Sequence, residues 1–126
     1  MTRRFVEDTH QEALIKWADI SASETFPTNL LYAVPNGGYR RPQEAARLKR
    51  AGCRAGVPDL ALPAARGGFN GLYIELKRPI VKGEAKPVVS AEQKYWIEQL
   101  RKQGYRAEVC YGWTEAKDLI TEYLRG

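Results

Sequence analysis

The stretch Leu72-Tyr73-Ile74-Glu75-Leu76-Lys77 decides how the chain is read. It is apolar except for Glu75 and Lys77, and short runs of this kind form buried strands. Side chains alternate across a strand, so Glu75 and Lys77 emerge from one face, about 6.5–7 Å apart, and Leu76 faces the other. Burying a carboxylate and an ammonium is costly unless a partner or a metal compensates. A cross-strand salt bridge would satisfy the pair, and Glu-x-Lys pairs arise often by chance. Asp59 opens a second possibility. It follows Pro58, which biases Val57 towards extended geometry, and begins a short strand, Asp59 to Leu62. A turn region from Pro63 to Gly71 separates the two strands. If they pair as a hairpin, the carboxylates of Asp59 and Glu75 converge at one end of a sheet. Two carboxylates and a backbone carbonyl form a hard-oxygen set suited to Mg²⁺. A nearby lysine then orients a water and offsets phosphoryl charge.

Outward from this hairpin, periodicity places the remaining elements. Val6 to about Ile20 reads as an amphipathic helix, with Val6, Ala13, Leu14, Trp17 and Ile20 on one broad side. Asp8, Glu12, Lys16 and Asp19 fall on the other side. Glu7 and Gln11 lie on the flank of the stripe beside Leu14 and Ala18, and His10 points into it as a satisfied core histidine would. Leu30 to Val34 reads as a strand, ended by the turn signal Pro35-Asn36-Gly37-Gly38. Glu44 to Ala51 reads as a short helix after Pro42, stopped by Gly52, with Ala45 and Leu48 facing inward. Pro79 to Val89 is a basic loop carrying Lys82 and Lys86. Ser90 is an N-cap for a helix to about Gln103, with Glu92 and Gln93 in its first turn. Ala107 to Tyr111 forms a fourth strand, and Thr114 caps a last helix to Leu124. The order α-β-α-β-β-α-β-α ends in a β-α-β unit, which needs a crossover between parallel strands. The expected fold is α/β, a mixed four-stranded sheet flanked by helices on both faces, with residues 1–126 as a single domain.

Composition narrows the chemistry. The 126 residues hold 20 Lys and Arg against 15 Asp and Glu, a formal charge of +5. No apolar run approaches the roughly 20 residues of a membrane span. The start, Met1 to Asp8, lacks a signal-peptide pattern, so an intracellular, cytoplasmic protein is expected. Cys53 and Cys110 stand apart, and His10 is the only histidine, which excludes a zinc knuckle, a disulfide framework or a multi-histidine site within one chain. No Gly-x-x-x-x-Gly-Lys-[Ser/Thr] loop occurs, so no nucleotide cofactor is expected. Metal chemistry would then use oxygen ligands and Mg²⁺ or Mn²⁺. The basic excess is local. Arg40, Arg41, Arg47, Lys49, Arg50 and Arg54 face the single acid Glu44 within residues 40–54, an excess equal to the net charge of the whole chain. Such a run is either a solvated helix face or a patch that contacts phosphates.

Pro58-Asp59 followed by Glu75-Leu76-Lys77 resembles the PD-(D/E)xK nuclease superfamily, and the fuller pattern is similar to its VRR-NUC branch, with a restriction-endonuclease-like core. The matching pieces are Glu7 with Gln11, Val34-Pro35-Asn36-Gly37-Gly38, Ala55-Gly56-Val57-Pro58-Asp59-Leu60, Gly71 to Lys77, Ser90-Ala91-Glu92-Gln93, and Gly104-Tyr105-Arg106 through Trp113. The resemblance implies that Asp59 and Glu75 bind the metal with the Leu76 carbonyl, and that Lys77 is catalytic. It implies that Glu7, rather than Glu12, is the first-helix acid that reaches the metal or its waters. Gln93 would support the site and Gln11 would be structural. Asn36, Gly37 and Gly38 either line the site or form a plain turn. The implied activity is Mg²⁺- or Mn²⁺-dependent cleavage of DNA, with four-way junctions as substrate and a homodimer as the working unit. The compact length resembles stand-alone forms of phages and bacteria. Arg40, Arg41, Arg47, Lys49, Arg50 and Arg54 would grip the DNA backbone. Flap cutting, nicking or nonspecific duplex cutting on the same fold is the alternative. A DNA-binding module without chemistry, its Asp59, Glu75 and Lys77 forming a structural ion network, is the other.

Overall fold

A computed structural model describes residues 3–35 and 41–126. Its strands are β1 (Tyr32–Ala33), β2 (Leu60–Leu62), β3 (Leu72–Lys77) and β4 (Arg106–Tyr111), and they form one sheet in that order. β1 and β2 pair antiparallel, as do β2 and β3, with Leu60 opposite Ile74 and Leu62 opposite Leu72. β3 and β4 pair parallel, with Glu75 opposite Val109. The helices are α1 (Arg3–Ser21), α2 (Pro42–Arg50), α3 (Ala91–Lys102) and α4 (Trp113–Arg125). The mixed α/β architecture expected from the element order is the one observed. Among the described residues, no helix is long and apolar enough to cross a membrane.

Alternation along β3 divides the molecule into two apolar layers. Leu72, Ile74 and Leu76 join Leu60, Leu62 and Cys110 of the neighbouring strands and pack against Leu14 and Ala18 of α1 and Ala116 and Ile120 of α4. On the opposite face, α3 sets Ile97 and Leu100 on Ala107, with Tyr73 and Val109 packed alongside. Glu75 and Lys77 share the parity of Tyr73, so they stand on the α3 face, at the end of the sheet where α3 begins. Burial pushes the Cys110 thiol up to about 12, which makes it an inert core group.

Five details differ from the sequence reading. The strand expected over Leu30 to Val34 shrinks to Tyr32–Ala33, because Thr28–Leu30 form a 3₁₀ turn after Pro27. That turn is held by the buried Thr28 hydroxyl, which donates to the Ala18 carbonyl at 2.6 Å and satisfies an orphan group near the end of α1. Asp59 lies in a bend just before β2 and not within it. Thr114 does not cap α4. The helix starts two residues earlier, at Trp113 after Gly112 at φ 93°, and His10 Nδ1 of α1 accepts the Trp113 N–H at 2.9 Å. His10 is thus a satisfied structural histidine. The packed stripe of α1 is centred on Leu14 and Ala18, and Ile20, about 120° from Leu14 at 100° per residue, is 77% exposed. Ala45 and Leu48 do not seal α2 to the core either. Ala45 is exposed, Leu48 is half-buried, and no residue of α2 is buried.

Candidate active site

The geometry at the open end of the β2–β3 hairpin follows from strand pairing. Extending the register one step beyond Leu60 and Ile74 sets Asp59 opposite Glu75. The Asp59 carbonyl is turned away towards β1, where it accepts the Val34 N–H at 2.7 Å. This makes Asp59 and Glu75 a non-hydrogen-bonded pair, the arrangement in which facing side chains come closest. One residue further on, Leu76 donates its N–H to Asp59 Oδ2 at 2.9 Å and not to a strand carbonyl. The carboxylate therefore ends the ladder. Backbone N–H and C=O of one strand residue point the same way, so the Leu76 carbonyl is directed to the Asp59 side as well.

The other face of Glu75 is closed by α3. Ser90 Oγ accepts the Gln93 N–H at 3.1 Å and Gln93 Oε1 accepts the Ser90 N–H at 2.8 Å, a complete capping box. That box fixes the Gln93 amide. Its Oε1 also accepts from Lys77 Nζ at 3.0 Å, and its Nε2 donates to Glu75 Oε2 at 3.0 Å. Lys77 Nζ lies 3.4 Å from the same Glu75 oxygen. Glu75 and Lys77 are only 3% and 9% exposed, so both charges depend on these contacts.

Burial raises the Asp59 carboxyl above its usual range, against the opposing pull of the Leu76 hydrogen bond and of Glu75 and Lys77. Burial and the neighbouring Asp59 push Glu75 up to about 8, with Lys77 offsetting part of the effect. The two carboxyl groups lie within hydrogen-bonding reach of each other and compete for compensation. The donor set fits a divalent cation: a carboxylate pair that needs more positive charge than one lysine supplies, with a backbone carbonyl directed to the same side. Among the described residues, no three His, Cys, Asp or Glu side chains gather as a metal cluster.

The remaining expected residues are placed as follows. Glu7 is half-buried on the face of α1 that carries Leu14 and Ala18, and Gln11 follows it there. Glu12 is exposed on the far side of the helix. Asp8, assigned to the outer side from the sequence, is a first-helix acid whose charge is felt at Asp59, which it raises. Arg41, Arg47, Lys49, Arg50 and Arg54 are all exposed. Arg40, Asn36, Gly37 and Gly38 lie outside the described residues. Sequence reasoning missed the part played by Gly56. At φ +90° it lies so close to α3 that a Cβ would come within 2.5 Å of the Glu92 carbonyl carbon. Only glycine lets the chain pass over the first turn of α3 on its way to Asp59. The signal was a glycine directly before Val57-Pro58-Asp59.

The family model of the VRR-NUC domain matches residues 5–113. The chain belongs to the VRR-NUC family. A solved structure described as a VRR_NUC domain protein is similar over 95% of this chain and 88% of that one, with 31% identity and a TM-score of 0.80. No curated protein matches the chain. VRR-NUC proteins are a nuclease family, generally metal-dependent, and DNA is the substrate that a nuclease domain of this kind implies. The matched span includes Glu7, Asp59, Glu75, Lys77 and Gln93 of the candidate site.

Proposed function

We propose that this VRR-NUC protein is a Mg²⁺- or Mn²⁺-dependent, structure-specific DNA endonuclease that cleaves four-way junctions as a homodimer. The observation that carries the reading is the pair of half-buried Asp59 and buried Glu75, wired through Glu75 to Lys77 and Gln93. Asp59, Glu75 and the Leu76 carbonyl would hold the ion, with Glu7 reaching its waters. When bound, the ion supplies Lewis-acid polarisation of the scissile phosphate and a lowered pKa for the attacking water.

The chain's own residues do the rest. Asp59 and Glu75 are pre-aligned by the β2–β3 register, so little reorganisation is needed at the moment of reaction. Lys77 places an ammonium beside Glu75, where it orients the attacking water and offsets charge on the phosphoryl oxygens. Gln93 holds Lys77 and Glu75 at once and keeps both aimed at the same point. Arg40, Arg41, Arg47, Lys49, Arg50 and Arg54 hold the flanking backbone, contacts that position DNA without reading its sequence. Two symmetric cuts in a junction need two sites, which a two-fold dimer supplies.

Purified protein offered junction, flap and linear duplex with Mg²⁺ or Mn²⁺ is expected to cut the junction best, with the mass of a dimer in solution. Glu75→Ala and Lys77→Ala are each expected to lower cleavage by about a thousandfold or more while junction binding persists. Unchanged cleavage by the purified variants would overturn the assignment. Preferred cutting of flaps or linear duplex would transfer the site to the other nuclease reading.

A further inference from the structure

The segment between Lys77 and Ser90 leaves the site at one of its residues and returns to it at another. It does nothing in the reaction proposed above. Its sequence, Arg78-Pro79-Ile80-Val81-Lys82-Gly83-Glu84-Ala85-Lys86-Pro87-Val88-Val89, mixes exposed apolar residues with cations. It is also braced. Pro79 packs against Gly112 so closely that a Cβ on the glycine would meet Pro79 Cγ at 3.1 Å. Arg78 Nη2 donates to the Ala85 carbonyl at 2.9 Å and ties the two limbs together. The Lys86 ammonium sits 5.1 Å from the centre of the Tyr111 ring at the end of β4, and Pro87 is buried. At the tip, the Glu84 N–H donates to the Val81 carbonyl at 3.0 Å, closing a four-residue turn with Gly83 at φ +86°.

Between these moorings Ile80 and Val81 project side by side, and the charged Lys82 and Glu84 follow them around the turn. Ile80 is 54% and Val81 47% exposed, and Lys82 beside them is exposed. Exposed apolar residues scattered singly need no explanation. These two are neighbours on a braced turn, and three residues of chain keep Ile80 within roughly 11 Å of Lys77. Adjacent apolar side chains next to a cation, presented rigidly beside a phosphate-cleaving centre, suit insertion between base pairs. Opening a base step costs stacking energy, which an inserted apolar wedge offsets. A loop already held in shape loses little further entropy on insertion.

We propose that residues 79–84 form a wedge that enters DNA beside the scissile phosphate, Ile80 and Val81 replacing stacking at one opened base step while Lys82 meets a backbone phosphate. The proposal rests on the DNA-cleaving reading and deepens it. It gives the enzyme a structural preference: a site is cut readily where the flanking step opens easily, as at a branch point, whatever its sequence.

The test uses the branched substrate that the wild-type protein cuts best, prepared with the step beside the cut either fully paired or mismatched. The Ile80→Ser/Val81→Ser double variant, altered only at exposed positions, is expected to cut the paired form about tenfold more slowly and the mismatched form within about twofold of wild type. The Ile80→Leu/Val81→Leu variant should restore cutting of the paired form. In an inert Lys77→Ala background, 2-aminopurine placed at that step should brighten on binding, and the serine pair should abolish the rise. Equal losses on both substrates, no loss on either, or a persisting fluorescence rise would overturn the wedge. A wild-type protein that cuts neither substrate would instead overturn the nuclease reading, and the fluorescence would then decide the wedge alone.

Discussion

The site at the β2–β3 end and the helix α2 hold the chain's two notable groups of charge under opposite conditions. Glu75 and Lys77 are buried, and Gln93 bonds to both of them. The cations of α2 and its flanks are exposed, on a helix with no buried residue. A buried charge must be fully compensated, so its geometry is dictated by its neighbours. An exposed charge is solvated, so its position is free to adapt to a partner. The contrast teaches that the two regions suit the different work proposed for them: fixed geometry for making and breaking bonds, adaptable cations for gripping a phosphate chain.

The comparison can be tested from its strongest consequence downward. Loss of Lys77 or Glu75 should remove cleavage and spare binding, as set out above, whereas no single change in α2 should do so. Gly56→Ala strikes the segment that joins the two regions. With φ +90° and the Glu92 backbone in the way, it is expected to cost about 3 kcal/mol of stability, read by denaturant unfolding, and to displace Asp59 and cleavage with it.

Next comes the pH dependence of the metal-free protein. The folded Glu75 carboxyl is pushed up from 4.5 to about 8, so the native state binds more protons than the unfolded chain across that window. Stability in the presence of a chelator should therefore be greatest below about pH 4.5, as far as this group is concerned, and fall as pH rises towards 8. Glu75→Gln should remove much of that slope and stabilise the chelated protein at pH 8 on the order of 3 kcal/mol. An unaltered slope would show that Glu75 is already compensated without a metal. The smallest effect on the fold belongs to α2. Arg47→Ala with Arg50→Ala should weaken DNA binding about tenfold near physiological salt and reduce its salt slope by about two. Thermal unfolding should shift by no more than about 0.5 kcal/mol per substitution, since neither side chain is buried.

Much of this was legible in the chain. The alternation of Leu72 to Lys77 set both charged residues on one face, and Ser90 with Gln93 announced a capping box. What escaped were features that depend on contacts distant in sequence. The stripe of α1 took its true centre from Leu14 and Ala18 because β3 and α4 pack there, so Ile20 was left in solvent. The start of α4 was hidden because its first N–H is met by His10, more than a hundred residues away along the chain.

By itself the sequence determined the order of elements, the α/β class and the residue types of the site, because periodicity, caps and turns are local. Only the tertiary structure decided that Gln93 would serve both its own helix cap and the Glu75–Lys77 pair. It alone decided that Asp59 would end a strand ladder with its carboxylate, and that Gly56 would have to be glycine. Each of these depends on the distance between elements once the sheet and α3 are packed, and a linear pattern carries no information on distance across the core.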